Sequence, residues 1–169
     1  MKETLVLALA IFLAACAPGE TTAAPASSDG ASKTSPGHHT DGLVRIVSAF
    51  SVDETVARLE AALAARNVNV MAKIDHAANA AGADLALEPT VLVIFGNPAA
   101  GTLLMQASRS AAIDLPMKAL IYEQDGAVMY EYNAVGYIAA RHGVPADLPV
   151  IKKIEGLVGA VAAEATGVQ

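Results

Sequence analysis

Between Ala17 and Gly42 the chain has neither an aromatic nor a β-branched aliphatic residue. Ala, Pro, Gly, Ser and Thr dominate these 26 positions, so the stretch has nothing to bury and cannot help close a core. Whatever folds must come from residues 43–169, a length that suits one domain. The run itself reads as a flexible tether with a root-mean-square reach of roughly 25–31 Å. Its His38-His39 pair reads as solvated residues.

Upstream of the tether, Leu5 to Ala15 is an apolar run of 11 residues, well short of the ~20 needed to span a bilayer. It ends at Leu13-Ala14-Ala15-Cys16, which resembles a bacterial lipobox: small residues suit a narrow peptidase site, and the Cys16 thiol accepts a diacylglycerol. The resemblance implies a lipoprotein signal peptide over 1–15 and an acylated Cys16 opening a tether over 16–42. Two or more acyl chains, at ~0.8 kcal/mol per buried CH₂, suffice for a stable membrane anchor. Ala17 stands where an Asp would signal inner-membrane retention, so the same resemblance implies the cell envelope, on the periplasmic face of the outer membrane. Lys2 offset by Glu3 departs from the usual basic start.

Composition narrows the functional classes. At 54% hydrophobic and 17% charged the chain has apolar surface for a core. A net charge of -6, with the 11 cations dispersed, argues against a nucleic-acid partner. A single cysteine excludes an internal disulfide, a cysteine-rich zinc site and, once it is acylated, thiol catalysis.

Local pattern then predicts the elements. Leu43 to Phe50 reads as a strand, and Ser51-Val52-Asp53-Glu54 as a capping box opening a helix to Arg66, with Asn67 as a left-handed cap. Val68, Val70, Ala72 and Ile74 alternate with polar residues as a half-buried strand, followed by a short helix from His76 to Gly82. Val91 to Phe95 is continuously apolar and reads as a strand covered on both sides. Asn97 and Pro98 start a helix with Leu103, Leu104, Ala107 and Ala111 on one face. Met117 to Glu123 and Ala127 to Asn133 form a hairpin around Asp125-Gly126, with Tyr122, Tyr130 and Tyr132 as packing residues. Helices from Gly136 to His142 and from Pro149 onward complete an α+β domain, a largely antiparallel sheet covered mainly on one face.

The segments Ile74-Asp75-His76, Phe95-Gly96-Asn97-Pro98, Gly101-Thr102-Leu103-Leu104-Met105, Asp114-Leu115-Pro116-Met117-Lys118 and Tyr130 to His142 resemble the bacterial "domain of unknown function 302" family. The resemblance implies a TATA-box-binding-protein-like fold over 43–145, with no established activity and no implication of DNA binding. Asn67 stands where a glycine is common, and the helical extension over 146–169, expected to pack on the domain, lies outside the core of the resemblance.

No motif spells out a reaction. Asp75-His76 at a strand end offers an imidazole beside a carboxylate, the minimum for acid/base work or half a metal site. Asn97 and Thr102 sit at a strand-to-helix turn that exposes helix N–H groups but lacks the lysine of a phosphate loop. Asp114, before Leu115-Pro116, reads as an Asx turn or a ligand-binding carboxylate. Asp75, His76, Glu88 and Asp114 have no recognised metal spacing, so neither metal nor cofactor is expected. The reading is a membrane-tethered, non-catalytic binding module for a small molecule or an envelope protein. Its site would be a cleft beside Asp75, His76 and Asn97, with Thr102 and Asp114 as further contacts, and a homodimer stays open. The alternatives are an envelope enzyme, hydrolytic in type, or a metal-binding protein, using His76 with Asp75 or Asp114. A dry apolar groove would favour binding; a pocket gathering His76 with two carboxylates would favour the others.

Overall fold

The computed structural model describes residues 42–168. The signal-like run, Cys16, the tether and His38-His39 lie outside them. In chain order the elements are β1 (Leu43–Ser48), α1 (Val52–Ala64), β2 (Asn69–Asp75), α2 (His76–Ala81), β3 (Thr90–Gly96) and α3 (Pro98–Ala107). A 3₁₀ turn (Arg109–Ile113), β4 (Met117–Gln124), β5 (Ala127–Asn133), α4 (Val135–Arg141) and α5 (Pro149–Thr166) follow. The sheet order is β1-β5-β4-β3-β2, and every neighbouring pair is antiparallel. The fold is therefore the α+β architecture expected.

Turn and cap chemistry fixes the joints. Ser51 accepts a hydrogen bond from the Glu54 amide at 3.3 Å, closing the start of α1, and Asn67 leaves the helix at φ 54°. Asp125 and Gly126 both adopt positive φ, 53° and 76°, the geometry a two-residue hairpin needs to match strand twist. Buried Thr55 ties α1 to β1: its hydroxyl donates to the Ser51 carbonyl at 2.8 Å and lies 2.7 Å from the Ser48 hydroxyl.

Antiparallel register puts Val91, Val93 and Phe95 of β3, Met117, Ala119 and Ile121 of β4 and Tyr130 of β5 on one face. They are buried in one core with Val56, Leu59 and Leu63 of α1 and Ile151, Ile154, Val158 and Val161 of α5. Helix α5 is thus part of the core. The other face carries the half-buried row Ile74, Leu92, Leu120, Glu131 and Arg45. On it the Tyr122 hydroxyl donates to Glu131 Oε1 at 2.7 Å, and Arg45 Nε donates to the same oxygen at 2.8 Å.

Three expectations need correction. In β3, Leu92 and Ile94 are half-buried rather than deeply covered, because register puts them on the face opposite the core that Val91, Val93 and Phe95 share with α1 and α5. In β2, a bulge between Val70 and Ala72 breaks the alternation. Val70 and Lys73 therefore share the helical face, where Lys73 pairs with Glu60 of α1 at 2.9 Å, and Ala72 and Ile74 turn to the other. In α3, the helix stops at Ala107 because Ser108 is extended (φ -150°). The expected four-residue stripe is cut, leaving Leu104 buried and Leu103 51% exposed.

Candidate functional site

Strand register separates the residues expected to share a cleft. Asn69 pairs with Gly96 and Asp75 with Val91, so Asp75 and His76 lie at one end of the β2–β3 pair and Asn97 at the other. The five-residue rise from Val91 to Gly96 is about 17 Å. β4 begins with Met117 opposite Phe95, which puts Asp114 at the Asn97 end. A cleft joining Asp75, His76 and Asn97, and a His76–Asp114 pair, are both incompatible with this register. Asp75 is spent as the N-cap of α2, its Oδ1 accepting from the Ala78 amide at 2.8 Å, and His76 is the helix's half-buried first residue. Among the described residues no group of three His, Cys, Asp or Glu side chains is placed to hold a metal ion.

The Asn97 end contains a cavity instead. Its volume is about 310 Å³, and its walls come from the bulge of β2 (Met71), the end of β3 (Phe95, Gly96), α3, the 3₁₀ turn (Ala112), the entry to β4 and α5. Met71, Met105 and Met117 all face it. Thioether side chains are apolar and flexible enough to reshape around a guest. Asn97 and Thr102 are the residues with polar side chains in the wall. The Asn97 side chain accepts from the Ala99 amide at 2.9 Å, capping α3 ahead of Pro98. Small residues on α3, Ala100 and Gly101, leave the space open, and Leu115 and Leu157 border it. A second hollow of about 590 Å³ is lined by Ala99 and Leu103 of α3, and by Arg66 and Lys153. It shares Asn97, Ala100, Ile154 and Leu157 with the first. Arg66 is held there by Glu164 at 2.5 and 3.0 Å, and that pairing raises the pKa of the arginine and lowers that of the glutamate.

Asp114 does not form the Asx turn expected of it. Its carboxylate accepts from His142 Nε2 at 2.6 Å and from Arg141 at 3.2 and 3.3 Å, joining the loop before β4 to the end of α4. On the far side of the ring, His142 Nδ1 lies 2.9 Å from the Ser110 hydroxyl, itself 3.2 Å from that of Ser108. Ser110, Arg141 and His142 were not among the residues singled out from the sequence. No local signal marks them, because the contacts run between positions 28 and 32 residues apart.

Comparison with known proteins gives a consistent picture. Residues 44–161 match the family described as "Domain of unknown function DUF302". Two curated relatives, each named fluoride-specific ion channel FluC 1, come from Brucella suis biovar 1 (strain 1330) and Brucella abortus biovar 1 (strain 9-941). Each is 41% identical over 118 residues, 68% of this chain, and the match covers 46% and 44% of their respective lengths. The chain thus spans under half of these relatives. A crystal structure of an uncharacterised conserved DUF302 protein from Bacillus stearothermophilus is similar in fold. Its TM-score is 0.67 at 18% identity, covering 73% of this chain and 98% of that one.

Proposed function

Since the chain belongs to the DUF302 family, for which the fold alone names no chemistry, we propose from its cavity that it is a small-molecule binding module. One observation carries the reading: an apolar cavity of about 310 Å³, at the small end of the usual range for ligand sites, with Met71, Met105 and Met117 around it. Asn97 and Thr102 would orient a guest whose bulk is apolar. Native mass spectrometry of the full chain purified from its own envelope tests this. A retained apolar molecule, lost when the cavity is filled by Gly101→Leu, supports it. A ligand-free protein that also takes up no apolar fluorophore overturns it.

The anchor belongs to the same proposal. The Leu13-Ala14-Ala15-Cys16 pattern supports acylation at Cys16 and a domain held near an envelope membrane. Among the described residues no helix is long and apolar enough to cross a membrane. Cys16→Ser should leave unprocessed, unacylated precursor; normal maturation of that variant would remove the anchor from the reading.

A membrane-protein partner is the second reading, favoured by the relatives named as fluoride-specific ion channels, most of whose length lies outside the match. Fluoride itself does not suit the cavity. A small anion needs hydrogen-bond donors in place of its water, and these walls are almost wholly apolar. The second reading is instead that this chain associates with a channel protein. Co-expression with a fluoride channel, followed by co-isolation in detergent, tests it against a control channel of unrelated fold.

A further inference from the structure

The Ser110–His142–Asp114 chain lies outside the apolar cavity, and the binding reading does not use it. An ionised carboxylate only accepts hydrogen bonds, so the 2.6 Å contact with Asp114 Oδ2 puts a proton on His142 Nε2. In the neutral ring Nδ1 then keeps its lone pair, and the group 2.9 Å from that nitrogen is the Ser110 hydroxyl. The order of parts is that of an activated serine: hydroxyl, base, and a carboxylate that fixes the base's tautomer and orientation.

Stability does not account for the serine. The Asp114 contacts with His142 and Arg141 already tie the loop to α4. Ser110 is exposed, and an exposed hydroxyl gains little from an internal bond that water would replace. Exposure has a different consequence: Ser110 is open to an incoming reagent, while the His142 side chain is only 8% exposed and that of Asp114 only 14%. The base is shielded and the nucleophile is not.

We propose that Ser110 is an acylatable nucleophile toward small carboxylic esters, with His142 as its base and Asp114 as the positioning carboxylate. In the acylation step Ser110 Oγ bonds to the ester carbonyl carbon as its proton passes to His142 Nδ1. The carbonyl carbon–alkoxy bond then breaks, and the departing alcohol takes that proton. Water repeats the sequence on the acyl-serine, giving the carboxylic acid and free Ser110. No metal, oxidant or cofactor enters the balance.

A fluorophosphonate probe on the full chain, read by intact mass and peptide mapping, tests it. A single adduct at Ser110 is expected, absent in Ser110→Ala and retained in Ser108→Ala. His142→Gln should slow labelling by about 100-fold, the low end of what a positioned base contributes. Asp114→Asn should slow it as well, with melting of each variant recorded alongside so that loss of reactivity in a folded protein is separated from unfolding. No adduct, an adduct on another residue, or equal labelling rates in wild type and folded His142→Gln would overturn the proposal.

Discussion

Gly101 on α3 faces Leu115 across the apolar cavity, and a Cβ built on the glycine would come no closer than 4.0 Å to Leu115 Cδ1. A Cβ at this position therefore meets no clash, and a longer side chain would extend into the cavity that Gly101 lines. A longer apolar side chain at 101 occupies the space a ligand would use, and it also replaces the poorest helix former after proline.

Gly101→Leu should raise stability by about 0.5–1 kcal/mol from helix propensity and abolish uptake of an apolar ligand. Urea melts give the first quantity, and titration with an environment-sensitive apolar fluorophore gives the second. A variant that melts higher and still takes up the fluorophore would move the site away from this cavity.

Most of the fold was legible because its signals are local. Ser51, Asn67, Asn97 with Pro98, and Asp125-Gly126 each fix a backbone angle or satisfy an amide within three residues of themselves. The β2 bulge was not legible, since Asn69 to Asp75 alternates well on paper and only pairing with β3 shows the slip. Nor was the break at Ser108, where the apolar spacing continues past a helix that has ended. The candidate residues divide the same way. Asn97 and Thr102 belong to a cavity whose other walls come from distant elements, and Asp114 found its partners 27 and 28 positions away. Asp75 and His76 are adjacent in sequence to each other but lie at the opposite end of the strand pair.

Asp75 and His76 should behave as ordinary residues of a strand-to-helix joint. Asp75→Ala removes the 2.8 Å cap on the Ala78 amide and should cost about 1 kcal/mol. His76→Ala should stay within about 0.5 kcal/mol of wild type, because the half-buried imidazole at the first position of α2 makes no side-chain hydrogen bond or ion pair among the described residues and alanine is the better helix former. Urea melts of the two variants decide it; a large loss for His76→Ala would point to a contact not seen at this joint.

Thr55→Val keeps shape and burial while deleting one hydroxyl. It removes the donor to the Ser51 carbonyl and the partner of the buried Ser48 hydroxyl, so the loss should be about 1–3 kcal/mol. Thr55→Ser, which restores the hydroxyl but not the methyl, should recover part of it. Chemical denaturation of the pair separates the hydrogen bonds from the packing.

High pH should unfold the domain through its tyrosines. Burial raises the Tyr130 hydroxyl far above the ordinary phenol value and raises Tyr132 as well. Tyr122 is pushed up to about 12, first by burial and then by its hydrogen bond to Glu131. An unfolded chain releases these protons near pH ~10. Below that both states hold them and the tyrosines contribute no slope; above it the unfolded state binds fewer protons than the folded one, so stability falls as pH rises. Urea melts from neutral pH upward should be flat with respect to these groups and then decline past pH ~10. Tyr130→Phe removes the most deeply buried of the three, so its decline should be shallower and the gap to wild type should change steadily across that alkaline range. Parallel pH dependence of the two proteins would show that Tyr130 is not held protonated by the fold.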